Sequence, residues 1–250
     1  MSHVDRRMRS AGFTLIELTL AMSFISALLL AIAMTIIQMS QTYNKGMVLK
    51  EVNQAARDIN DTLRRSVADT SQVDMDQGYV TNTAGGRLCL GNYSYIWNTA
   101  EALERGDANL TAFEPNAASG WSEDTILRLV RVEDTSRLYC AEGTSGGFIQ
   151  RAIRAEDADK TDILLQAGEH TINVLDIAVF PATEAPGDTN YDPATGERLI
   201  TITYRLGTGD VSAMTENQTA CLPPSDPNSD LAYCNVQEFT IAVRAGSGVN

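Results

Sequence analysis

At 250 residues the chain has room for one domain of ordinary size, or for a domain with an extension. Hydrophobic residues at 44% and charged residues at 20% allow a buried core and exclude wholesale disorder. A formal net charge of −13 repels phosphate backbones, and no long Lys/Arg run lies beyond the N-terminus, which argues against broad nucleic-acid binding.

Residues 1–12 carry Arg6, Arg7 and Arg9 against one acid, Asp5. An apolar run follows at once: residues 13–37 hold a single charge, Glu17. As a helix this run is about 37 Å long, enough to cross a hydrocarbon core of about 30 Å with some tilt. The arginines in front of it put the N-terminus in the cytoplasm and the remainder outside. A cleaved secretory signal would have a shorter apolar stretch ending in a small-residue cleavage site; here apolar residues continue past Ser23 and Ala27. A plain single-pass anchor fits the length but leaves Glu17 unexplained. A carboxylate within a membrane helix costs about 2.5–3.5 kcal/mol and usually marks function. The competing account is a Glu17 that snorkels to the headgroups as an interfacial residue.

The string Gly12-Phe13-Thr14-Leu15-Ile16-Glu17 resembles the processing signal of type IV prepilins and type II secretion pseudopilins. The short basic leader, the Gly-Phe junction, the glutamate five residues into the mature chain and the apolar helix all match. The resemblance covers about a quarter of the chain, from Arg6 to about Arg65. It implies cleavage after Gly12 by a membrane peptidase and methylation of the new amine on Phe13. It also implies that Glu17 registers one subunit against another through that amine. Partners would then be the prepilin peptidase, other pilin or pseudopilin subunits and an inner-membrane assembly machinery. The chain would begin as a single-pass cytoplasmic-membrane protein with an external head and end in a cell-surface filament. One departure concerns Met34, where many major pilins have a helix-breaking proline.

The helix is expected to run on beyond the membrane, over residues 38–68. Val48, Val52, Ala55, Ile59 and Leu63 recur at helical spacing among charged residues, with a bend expected at Gly46. Residues 69–250 read as a β-rich head. Strands are expected at 87–90, 93–97, 126–132, 163–165, 172–180, 199–206 and 238–244, with loops at 182–197 and 208–235. The expected architecture is pilin-like: α+β, a long N-terminal helix packed on an antiparallel sheet.

Cys89, Cys140, Cys221 and Cys234 lack metal-ligand spacing, and His3 and His170 are the only histidines. An exported, oxidised head suits disulfides, and three pairings are available. The short Pro- and Asp-rich loop between Cys221 and Cys234 favours that pair, which also resembles the C-terminal disulfide region of many pilins. Cys89–Cys140 would then be the second pair, with free thiols as the alternative.

Asp188, Asn190 and Asp192 alternate as at the start of a calcium loop. Pro193 and Leu199 then stand where the EF-hand needs glycine and glutamate, so a loop of Asx turns is the better reading. Gly143-Thr-Ser145-Gly-Gly147 matches a nucleophile-elbow string but lacks the strand, helix and histidine such a site requires. The acidic clusters Glu133-Asp134 and Glu156-Asp157-Ala-Asp159 read as solvated surface, and Trp97 and Trp121 as packing residues.

No catalytic residue, metal or cofactor is expected. Removing the leader leaves 238 residues and takes the net charge from −13 to −15, through the loss of three arginines and one aspartate. That size and charge point to a subunit present in few copies. The rival readings are a tip adhesin or ligand-binding pilin, a secretion minor pseudopilin, and a membrane-tethered enzyme.

Overall fold

The computed structural model describes residues 14–70, 78–81, 85–99, 103, 109–111, 127–140, 149–151, 153–165, 171–181, 198–208, 213–215, 219–230 and 232–245. The fold is α+β: one long N-terminal helix and antiparallel β-sheets. Helix α1 spans Leu15–Ala68, and helical structure continues through Gly46, where a bend was expected. The chain divides into two compact units, Met1–Tyr43 and Asn44–Asn250.

Within the second unit the helix buries Val48, Val52, Ala56, Ile59, Leu63 and Val67. Their spacing of three and four keeps them on one face. Ala56, rather than Ala55, takes the fully buried position, and Ala55 packs half-buried at its side. Burying a side chain the size of Ile59 or Leu63 is worth about 1.5–3 kcal/mol. Propensity alone would not hold this stretch, so tertiary packing decides its position.

The first sheet has five strands in the order β1-β2-β3-β5-β7: β1 Tyr79–Thr81, β2 Gly86–Leu90, β3 Tyr93–Thr99, β5 Leu127–Glu133 and β7 Thr161–Ile163. The second has three, in the order β10-β9-β8: β8 Ile172–Pro181, β9 Arg198–Thr208 and β10 Asn235–Ala245. A separate pair joins β4 Asn109–Thr111 to β6 Ile149–Arg151. All ladders are antiparallel.

Period-2 alternation sorts the side chains. Tyr95, Trp97 and Leu129 join the helix face and Ile177, Ile200, Ile202 and Tyr204 in one core. Ile96, Val130 and Val132 point the other way and meet Leu103 and Tyr139 in a second cluster. The first sheet is therefore buried on both faces.

Two hydroxyls tie the sheets to the helix. Tyr204 places its oxygen 2.8 Å from both the Ala56 carbonyl and Asn60 Oδ1. Tyr95 sits 2.6 Å from Ser66 Oγ. Tyr204 donates to the Ala56 carbonyl, and burial pushes both phenols up in pKa.

Strands β2 and β3 meet through a two-residue turn, Gly91–Asn92, in which Gly91 has φ 57°. A glycine in that first position is what such a hairpin turn demands. Gly86 serves a different need: a Cβ there would collide with the Trp97 ring.

The strand expected at 163–165 begins earlier, at Thr161. Ile163 lies half-exposed on the sheet edge, and the chain then turns to bury Leu165 in the core. Strands β1, β4 and β6 were not foreseen. Each has three residues, too few to display a period of two.

Candidate functional site

The apolar helix of the first unit carries the strongest functional signal. Leu15, Ile16, Leu18, Leu20, Phe24, Leu30 and Ile36 are all exposed, although each is a residue type found mostly in cores. The helix is long and apolar enough to cross a membrane. Its hydroxyls also fit that solvent. Thr19, Ser23, Ser26 and Thr35 each donate to a backbone carbonyl three or four residues back, at 2.7–3.0 Å. No water is needed to satisfy them, which is the condition hydrocarbon imposes.

Glu17 sits in the first turn of this helix. One of its oxygens, Oε2, accepts from Thr14 N at 2.9 Å and from Thr14 Oγ1 at 2.7 Å. Thr14 Oγ1 in turn accepts from Glu17 N at 3.3 Å. This is a capping box: the threonine and the glutamate three residues on satisfy each other's donors at the helix start. A negative charge at this end also complements the helix dipole. The sequence signal for this box is the T-x-x-E spacing of Thr14 and Glu17 ahead of the apolar run. Gly12 and Phe13 lie outside the described residues.

The four cysteines form two disulfides, Cys89–Cys140 and Cys221–Cys234, with Cα atoms 6.3 Å and 5.9 Å apart. Cys89–Cys140 links β2 to the turn that follows β5, and a buried polar cluster surrounds it. Asp134, 4% exposed, accepts hydrogen bonds from Ser94 Oγ at 2.8 Å, Leu138 N at 2.6 Å and Tyr139 N at 2.9 Å. Ser94 Oγ also lies 3.0 Å from Cys140 Sγ. Arg87, likewise buried, donates to the Tyr139 carbonyl at 3.1 Å.

Next to this cluster, Tyr139 donates its hydroxyl to Asp157 at 2.6 Å, and Arg154 Nε donates to the same carboxylate oxygen at 2.8 Å. The two acidic clusters expected to be solvated are thus split. Glu133, Glu156 and Asp159 are exposed, whereas Asp134 and Asp157 are buried and partnered.

The Tyr139 hydroxyl, helped by Arg154, holds the Asp157 carboxyl below its ordinary pKa against the opposing pull of burial. A depressed carboxylate contributes stability above its unfolded pKa and loses it as pH falls through the folded value. The stability of the detergent-solubilised chain should therefore drop below about pH 4, the unfolded aspartate value. Denaturant titrations of Asp157→Asn should show a smaller drop over the same window. An identical acid limb in both proteins would refute the assignment.

Among the described residues, no three His, Cys, Asp or Glu side chains gather as a metal cluster. Asp188, Asn190 and Asp192 lie outside the described residues, as do Ser145 with its glycines, His170 and Trp121. Trp97 is 2% exposed and belongs to the core.

No protein-family model, curated protein or solved structure matches the chain. What fold and helix define is a class: an α+β protein whose long apolar N-terminal helix fits a single-pass membrane protein, with two disulfides in its β-rich unit.

Proposed function

We propose that this chain is a structural subunit of a type IV pilus or a related filament, of the minor kind that primes or tips the assembly, and not an enzyme. The observation that carries the reading is the string Gly12-Phe13-Thr14-Leu15-Ile16-Glu17, set between a short basic leader and a membrane-length helix that enters an α+β head. In this account the chain inserts with its head outside and is cut after Gly12 by prepilin peptidase. Phe13 then carries the new amine.

The capping box supports a defined role for Glu17. Before assembly the carboxylate is held within its own helix by Thr14, which lowers the cost of a charge in the bilayer. During assembly the amine of an incoming Phe13 pairs with the Glu17 of a subunit already in place. A buried ion pair of this kind fixes register more than it adds stability.

Replacing Glu17 by leucine keeps the helix apolar and removes the pairing. The Glu17→Leu chain should insert and be cleaved normally, while its incorporation into filaments falls about tenfold or more, equivalent to about 1.4 kcal/mol. Filament fractions probed for this subunit give the readout. Unchanged incorporation would remove Glu17 from the assembly mechanism.

A further inference from the structure

Strand β10 leaves one long edge of the second sheet open. It pairs with β9 in an unbroken register, from Asn235 opposite Thr208 to Ala245 opposite Arg198, and among the described residues no other strand pairs with it. An open edge is a template for strand addition, which folds commonly blunt with prolines, lysines or bulges. The opposite edge strand, β8, shows such devices. Its register shifts between Val174 and Asp176, it ends at Pro181, and its Ile177 carbonyl accepts from the Tyr79 hydroxyl at 2.8 Å. Strand β10 has no bulge, proline or lysine in its 11 residues.

The side chains of β10 define what would suit that edge. Glu238, Thr240, Ala242 and Arg244 are exposed on one face of the strand. Phe239 and Val243 stay half-buried on the other face, on either side of buried Ile241, and the Phe239 ring stacks on Tyr204 at 5.5 Å. Arg205 of β9 lies 3.2 Å from the Glu238 carboxylate, so a cation across the open edge would flank that carboxylate from its second side. An added antiparallel strand therefore finds complementary charge with a carboxylate opposite Arg244 and a cation opposite Glu238. It finds apolar contact with residues opposite Phe239, Ile241 and Val243.

Two copies of β10 would match this pattern in an antiparallel pair, but that pair has its dyad normal to the sheet. The helix segments 44–68, packed along the inner face, would then point in opposite directions. Two chains that enter their heads from one membrane do not meet that way, and two heads of this acidity also repel. We infer that the open edge of β10 accepts, through main-chain hydrogen bonds, an extended antiparallel segment of a different polypeptide. Its pattern is a carboxylate, three apolar residues at alternate positions, and then a lysine or arginine. The choice of a different polypeptide rests on the membrane-anchored part of the proposed function, and the open edge does not.

The test uses the full chain in phosphatidylethanolamine/phosphatidylglycerol nanodiscs and the end-blocked peptide TEVTVTVKT, which carries the pattern. Hydrogen–deuterium exchange is read on proteolytic fragments covering β8 and β10. The peptide should slow exchange over β10 and leave β8 unchanged. The peptide TEVTVTVET, which sets a carboxylate opposite Glu238 in either orientation, should bind about fivefold more weakly.

Unchanged exchange over β10, or equal binding of the two peptides, overturns the inference. So does a β10 that is fully protected in the chain alone, since its edge is then already covered. Protection of β10 that rises with protein concentration in the absence of peptide assigns the edge to a second copy of the chain and also overturns it. Incorporation into the nanodiscs is read separately: a chain that stays out of the bilayer yet binds TEVTVTVKT at β10 overturns the anchor and supports the edge.

Discussion

Replacing Asp134 by alanine should lower the unfolding free energy of the detergent-solubilised chain by about 3–5 kcal/mol, among the largest losses of any single side chain in the head. The carboxylate is 4% exposed and accepts from one hydroxyl and two backbone N–H groups. Alanine would strand those donors in a site that β3, the 134–140 turn and the Cys89–Cys140 disulfide close off from water. Asp134→Asn retains one carbonyl acceptor but offers an NH2 to donors, so it should lose nearly as much. Denaturant melts of the three proteins give the comparison. A loss under about 1 kcal/mol for alanine would mean that the turn relaxes and rehydrates, contrary to the geometry described.

Removing the Cys89–Cys140 bridge by paired serine substitutions should cost about 4 kcal/mol, against about 3 kcal/mol for the Cys221–Cys234 bridge. The difference follows from loop length, since the cysteines are 51 residues apart in one case and 13 in the other. Cross-linking the longer loop removes more freedom from the unfolded chain. The first bridge also joins β2 to the Asp134 turn, so its loss and that of Asp134 should not add independently. Equal stability of both bridge variants and the unsubstituted chain would contradict this account.

The buried face of the helix was legible in the sequence, because Val52, Ile59 and Leu63 repeat at a period that only a helix places on one side. The choice between Ala55 and Ala56 was not, since adjacent alanines differ by about 100° around the axis and only the facing sheet decides between them. The long strands showed themselves through alternation, as in Ile200-Thr-Ile202-Thr-Tyr204.

The polar interior was misread for a physical reason. An aspartate beside a glutamate has the composition of surface, and the partners that make Asp134 and Asp157 tolerable, Ser94 and Tyr139, are brought by tertiary folding. A sign was nevertheless present. Val130 and Val132 share the face of β5 that meets the second cluster, and the same alternation carries Asp134 to that buried face, while Glu133 falls on the other face at the strand end, where it is exposed. At the N-terminus, Glu17 was legible as an unusual charge, yet its local partner Thr14 needed the capping geometry to be seen.

The central claim is that this chain is made as a prepilin, and its most direct test is the N-terminus after co-expression with a prepilin peptidase. Intact mass and N-terminal sequencing should find a mature chain beginning at methylated Phe13, with cleavage blocked when Gly12 is replaced. A chain that still begins at Met1 beside an active peptidase would contradict the account and leave a membrane-anchored acidic head with no route into a filament.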